Sequence, residues 1–307
     1  MEHCVLVLAD GRTFPGRSFG AEAPTITELQ ARLDEATAPG ADPLLATIGE
    51  VVFNTAMSGY VETLTDPSYT GQIIAMTYPH IGNYGVSAEW AESHTDPASS
   101  PRPVPAAGCI VRSVYDGPVP DGRQRLTDFL AEAGIPGITG VDTRALTLHL
   151  RNHGSKNGLI CCPAALRGKN AASQSDAAAT LTDEELAQAL EILTAFPAME
   201  GRGLISEVGA RQRRELPAPT DTGEANGSGE RSRPRRGAAQ APHLVLYDCG
   251  TKDNIVRELQ NLGCRLTLLP SEATADEIRE VGADAVMISN GPGDPAVLQH
   301  QVEQTRE

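Results

Sequence analysis

The run Asn290-Gly291-Pro292-Gly293-Asp294-Pro295 is the part of this sequence best suited to hold a reacting group. Two glycines let a ligand approach bare backbone, and Pro292 and Pro295 restrict the loop. An exposed N–H in such a turn can stabilise a developing oxyanion, an effect worth about 2.7–4 kcal/mol per donor. With Ala296 the run also fits the dinucleotide pattern G-x-G-x-x-G/A. That pattern belongs after the first strand of its unit, with an acidic residue about twenty positions on. Here it follows a third strand and two prolines remove donors, so nucleotide binding is rejected. Ser68, after Asp66-Pro67, is by itself an ordinary turn residue.

Nucleophiles are scarcer than the six cysteines suggest. Cys4, Cys109, Cys161, Cys162, Cys249 and Cys264 form no Cys-x-x-Cys pair, so no metal site is expected and the thiols are read as reduced and mostly buried. Cys249 lies after the first strand of the α/β pattern. Thiol catalysis needs a thiolate beside an oriented base, and no histidine follows Cys249 until His300. His80 and His153 fall in the N-terminal region and are read as structural.

The elements that must position the loop lie after residue 242. His243–Tyr247, Cys264–Leu269 and Asp284–Ser289 read as strands, alternating with helices over Asn254–Leu262 and Thr274–Val281. Nearly continuous apolar strands in that order predict a parallel sheet covered on both faces, with the glycine loop at its C-terminal edge and a helix starting at Ala296. Three strands in about 65 residues make a small core, so the reading expects this region to be the first half of a larger domain.

Upstream, residues 1–209 read as a mixed α and β domain. Residues 1–20 form a hairpin turning at Asp10-Gly11, and residues 21–46 a surface insertion. Glu50–Thr55 and Gln72–Tyr78 are strands joined by a polar loop from Ser58 to Tyr69. Asp142 caps one helix, and Thr182 with Glu185 forms a capping box for another. Residues 210–242 mix Arg211, Arg213, Arg214, Arg231, Arg233, Arg235 and Arg236 with Pro, Gly and Ser, the composition of a flexible linker. The net charge of −15 argues against nucleic acid and anionic membrane surfaces as partners. The start has no basic n-region and too short an apolar run for a membrane span, so the chain is expected in the cytoplasm.

Three segments resemble one family. Gly49-Glu50-Val51-Val52-Phe53-Asn54-Thr55, Thr65-Asp66-Pro67-Ser68-Tyr69 and Thr77-Tyr78-Pro79-His80-Ile81-Gly82-Asn83 are similar to the N-terminal domain of the carbamoyl phosphate synthetase small subunit. Gly140-Val141-Asp142-Thr143-Arg144 with Asn157-Gly158 resembles that domain's later helix and strand. Tyr247–Ile255 and Ser289–Pro295 resemble the first part of a class I glutamine amidotransferase domain, a flavodoxin-like α/β fold. The resemblance implies that ammonia from L-glutamine passes to a large subunit. That subunit would use ATP and magnesium to make carbamoyl phosphate for arginine and pyrimidine synthesis. It implies glutamine contacts at Ser68, Gly291 and Gly293, with the Gly291 N–H as an oxyanion donor, and no cofactor in this chain. The family's Gly-x-Cys-x-Gly-His-Gln elbow is not found in these residues, so the nucleophilic Cys and its His and Glu partners are expected beyond residue 307 and the chain is expected to be inactive alone. The alternative is a non-catalytic module docking on a large subunit that runs on free ammonia.

Overall fold

The computed structural model describes residues 2–36, 46–93, 103–166, 180–218 and 241–307. The chain divides into two compact units, Met1–Ala91 with Arg102–Glu200, and Glu92–Pro101 with Gly201–Glu307.

Seven strands of the first unit close into a barrel: β1 (His3–Leu8), β2 (Thr13–Gly20), β3 (Ile48–Asn54), β4 (Gln72–Ile81), β5 (Gly108–Val114), β6 (Pro136–Thr139) and β7 (Lys156–Cys161). Around the barrel they run β1-β2-β6-β5-β4-β3-β7; the pairs β3–β4, β4–β5 and β5–β6 are parallel and the other four pairs antiparallel. The predicted hairpin forms, with His3 opposite Arg17 and Leu6 opposite Phe14.

Alternation along the strands separates two apolar surfaces. Cys4, Leu6 and Leu8 pack with Val51, Ile73, Ile110, Ile138 and Ile160, and with Leu146 and Leu150 of helix α4 (Thr143–His153). Val5 and Val7 pack instead with Ile26 and Leu29 of α1 (Ile26–Ala36) and Ile192 and Leu193 of α5 (Asp183–Ala195). A second outer cluster joins Ile74, Met76 and Val111 to α2 (Tyr60–Thr65) and α3 (Leu126–Glu132).

The two caps read from the sequence are present. Asp142 Oδ1 accepts from Ala145 N at 2.9 Å, and Thr182 and Glu185 make a reciprocal capping box.

Two expectations for this unit are corrected. Residues 21–46 are not simply a surface insertion, because Ile26 and Leu29 are buried against β1. Residues 37–45 of that stretch lie outside the described residues. The loop from Ser58 to Tyr69 contains helix α2. Its N-terminal amides are met by a distant group: the Tyr84 phenol oxygen accepts from Gly59 N at 2.7 Å and Tyr60 N at 3.0 Å. No local cap announces this helix in the sequence.

The second unit holds β8 (Arg214–Leu216), β9 (His243–Asp248), β10 (Arg265–Pro270) and β11 (Ala285–Ile288), in the order β11-β9-β10-β8. The last three in sequence are parallel, as expected, and carry α6 (Asp253–Asn261), α7 (Ala275–Glu280) and α8 (Gln299–Arg306) between and after them. The final helix starts at Gln299 rather than Ala296, because Asp294 caps a 3-10 turn over Pro295–Val297 first.

The predicted linker is also corrected at its N-terminal end. Arg214–Leu216 pairs antiparallel with Leu266–Leu268, while residues 219–240, including the four later arginines, lie outside the described residues.

A polar chain running from the exposed Glu215 to the buried Thr267 and His243 joins this edge strand to the sheet. Thr267 Oγ1 donates to Glu215 Oε2 at 2.7 Å, so His243 Nε2–H donates to Thr267 Oγ1, also at 2.7 Å. His243 Nδ1 is buried and meets no hydrogen-bond partner among the described residues, and protonation would place a second N–H there. Burial, then the nearby Arg265, hold this imidazole below its ordinary pKa, against the opposing pull of Glu215 and Asp284. The unfolded chain therefore binds more protons here below about pH 6.5. Stability is expected to be fullest above that pH and to decline as pH falls toward the folded pKa. Urea midpoints compared between pH 7.5 and 5.5 check this, and His243→Asn should flatten the slope.

Candidate functional site

The glycine loop follows β11 at the C-terminal edge of the parallel strands, where ligands bind in folds of this kind. Its conformation requires glycine at two positions. A Cβ on Gly291 would lie 2.0 Å from the Cys249 carbonyl oxygen. Gly293 has φ +85°, and a Cβ there would lie 2.4 Å from the Arg202 carbonyl oxygen.

Two walls of the same unit hold the loop. On one side, Cys249 N donates to Ser289 Oγ at 2.9 Å and Asn290 Nδ2 donates to the Gly250 carbonyl at 3.1 Å. On the other, Asp294 N donates to the Arg202 carbonyl at 2.8 Å and Gly201 N donates to Asp294 Oδ2 at 2.9 Å. The N–H groups of Ala296 and Gly201 hold the Asp294 carboxyl below its ordinary pKa.

Among the described residues, no acceptor meets the N–H of Gly291 or Gly293, and Gly291 is exposed. Amides without an acceptor on a restrained turn are donors available to a carbonyl oxygen. Beside them lies a cavity of about 530 Å³, lined by Cys249, Ser289, Gly291 and Gly293 together with the apolar Ile288 and Val302. That volume is in the range of small-molecule sites.

Cys249 lines this cavity but is 5% exposed, and burial, then Asp248 and Glu272, push its thiol up to about 11. It stays protonated at neutral pH. The described histidines of its unit are engaged elsewhere: His243 on Thr267, and His300 within 3.3 Å of the Glu272 carbonyl. Among the described residues no histidine meets this thiol, and no group of three or more His, Cys, Asp or Glu side chains could hold a metal.

Ser68 sits on the first unit, in a 3-10 turn over Pro67–Tyr69 that follows α2. The buried Asp66 holds the turn: its Oδ1 accepts from Ser68 N at 2.9 Å, and Thr70 Oγ1 donates to the Pro67 carbonyl at 2.6 Å. Ser68 itself is partly exposed. The sequence reading singled out Ser68 and both glycines. It missed Asp248, whose carboxylate organises the wall at 249–251; an aspartate ending an apolar strand before Cys-Gly-Thr was the available signal.

The class of the second unit comes from its parallel strands, its edge loop and its sequence together. Residues 245–307 match the family "Glutamine amidotransferase class-I". Residues 6–160 match "Carbamoyl-phosphate synthase small chain, CPSase domain". The chain is 38% identical over 308 residues to the carbamoyl phosphate synthase small chain of Pseudomonas aeruginosa, covering 99% of this chain and 67% of that one. It is 38% identical to that of Polynucleobacter necessarius, covering 99% and 66%, and 37% identical to that of Thermosynechococcus vestitus, covering 99% and 65%. The chain belongs to the carbamoyl phosphate synthase small chain family, and spans about two thirds of the length of these curated relatives. No helix among the described residues is long and apolar enough to cross a membrane.

Proposed function

We propose that this chain is the glutamine-binding portion of the small chain of a glutamine-dependent carbamoyl phosphate synthase. Gly291 and Gly293 present their amides to the side-chain carbonyl of L-glutamine, with the Gly291 N–H as the oxyanion donor. Ser68 is a further glutamine contact, a role that rests on its resemblance to the family's motif. The partner is a large synthase subunit, forming a heterodimer, in which ATP and magnesium are used and ammonia becomes carbamoyl phosphate for arginine and pyrimidine synthesis. Six buried cysteines outside any disulfide agree with a cytoplasmic setting, where thiols stay reduced. The reading is carried by one observation: two loop amides at the sheet's C-terminal edge that meet no acceptor among the described residues.

Hydrolysis is a separate matter. The buried, protonated Cys249 has no histidine beside it among the described residues, so these 307 residues are proposed to bind glutamine without cutting it. The same observation favours a second reading, in which the chain docks on the large subunit and synthesis runs on free ammonia.

Isothermal titration of the purified chain with L-glutamine, with ammonia release assayed in parallel, tests both. Saturable binding without ammonia release is expected. No binding at millimolar glutamine would remove the first reading; ammonia release would remove the assignment of Cys249 as inert.

A further inference from the structure

Both walls of the glycine loop lead back to one side chain. Asp248, at the C-terminal end of β9, is fully buried. Its Oδ1 accepts from Gly250 N at 2.9 Å, Thr251 N at 2.8 Å and Thr251 Oγ1 at 2.8 Å, which folds residues 249–251 into a tight turn. Its Oδ2 accepts from Ala210 N at 2.8 Å. Ala210 closes the segment that begins with Gly201 and Arg202, the residues clasping Asp294. The turn at 249–251 is the surface on which Gly291 rests, and Gly250 lies against both Pro292 and Gly291.

We propose that Asp248 is a positioning residue that sets where the Gly291 and Gly293 amides stand. One oxygen fixes the floor beneath Gly291, and the other ties the segment that grips Asp294. A carboxylate suits this place because it only accepts, and the Gly250, Thr251 and Ala210 groups that meet it here all donate. The consequence for glutamine rests on the function proposed above; the consequence for the loop does not.

The two oxygens make the proposal testable by an isosteric change. Asp248→Asn keeps one acceptor. The N–H groups of Gly250 and Thr251 and the Thr251 hydroxyl all donate to Oδ1, so the amide is expected to keep its oxygen toward them and turn its NH2 against Ala210 N–H. The segment 201–210 should loosen while the 249–251 turn persists. Hydrogen exchange reads this at two bonded amides: Asp294 N–H, held by Arg202, is expected to exchange ~10-fold faster, and Cys249 N–H, held by Ser289, to be unchanged. In the same folded variant, titration with L-glutamine is expected to show ~10-fold weaker binding.

A residue that merely supports the fold would lower the urea midpoint and leave glutamine affinity of the folded protein intact. Wild-type exchange at Asp294 in a folded Asp248→Asn variant would overturn the proposal. If the parent chain binds no glutamine, the functional reading fails, and the exchange at Asp294 still decides the positioning role. Should Asp248→Asn not fold, Ala210→Pro removes the donor opposite Oδ2 while leaving the carboxylate, and the same two amides report.

Discussion

Replacing Gly291 by alanine is expected to weaken L-glutamine binding by ~30- to 100-fold, about 2–3 kcal/mol at 1.4 kcal/mol per tenfold. The added methyl would sit 2.0 Å from the Cys249 carbonyl oxygen and 3.1 Å from the Ile205 side chain. The first of these is backbone and cannot rotate away. Either the loop lifts off the 249–251 turn or that turn moves, and both displace the Gly291 amide from its present direction. Oriented donors lose most of their value with small displacements, because hydrogen bonds weaken steeply with angle. Titration calorimetry with urea unfolding in parallel separates the two consequences. A folded Gly291→Ala variant with the parent's affinity would show that this amide does not face the ligand.

The second large effect concerns the first unit. Gly49→Ala is expected to destabilise it by about 2–3 kcal/mol, the usual scale for forcing an added methyl into a packed interior. A Cβ on Gly49 would meet the Gly71 carbonyl oxygen at 2.2 Å, again backbone rather than a flexible side chain. Gly49 lies in β3 opposite Gly158 of β7, and the next residue, Glu50, faces Gln72 of β4. Pushing Gly71 outward strains the start of β4 and, through Thr70 and Tyr69, the turn that carries Ser68. The change therefore reaches a proposed ligand contact as well as the barrel. Urea midpoints of the parent and variant chains measure the first part. An unchanged midpoint would mean that β3 and β4 separate at little cost.

Much of the second unit was legible from the sequence, and the reason is local. Its strands are continuous apolar runs and its helices carry their own punctuation, as with the Thr274–Glu277 capping box of α7. Three parallel strands in βαβ order leave few topologies, and the position of the glycine loop follows from them. The barrel was less legible. Its hairpin, two of its strands and two capped helices were read, but closure depends on pairings such as Leu6 with Ile160 and Ser18 with Ile138, far apart in the chain. Helix α2 escaped because its cap comes from Tyr84, and β8 because three residues in an arginine-rich stretch gain strand geometry only by pairing with β10.

By itself, then, the sequence determined residue chemistry: an acidic chain, a bare glycine turn after a third strand, and no thiol–histidine motif in these residues. The tertiary structure alone decided which amides remain without acceptors, that Cys249 is buried and protonated, and that one carboxylate, Asp248, ties together segments 38 residues apart along the chain. The physical reason is that desolvation and hydrogen-bond satisfaction are properties of three-dimensional surroundings. A one-dimensional pattern names the donors and acceptors, and only packing determines which of them meet.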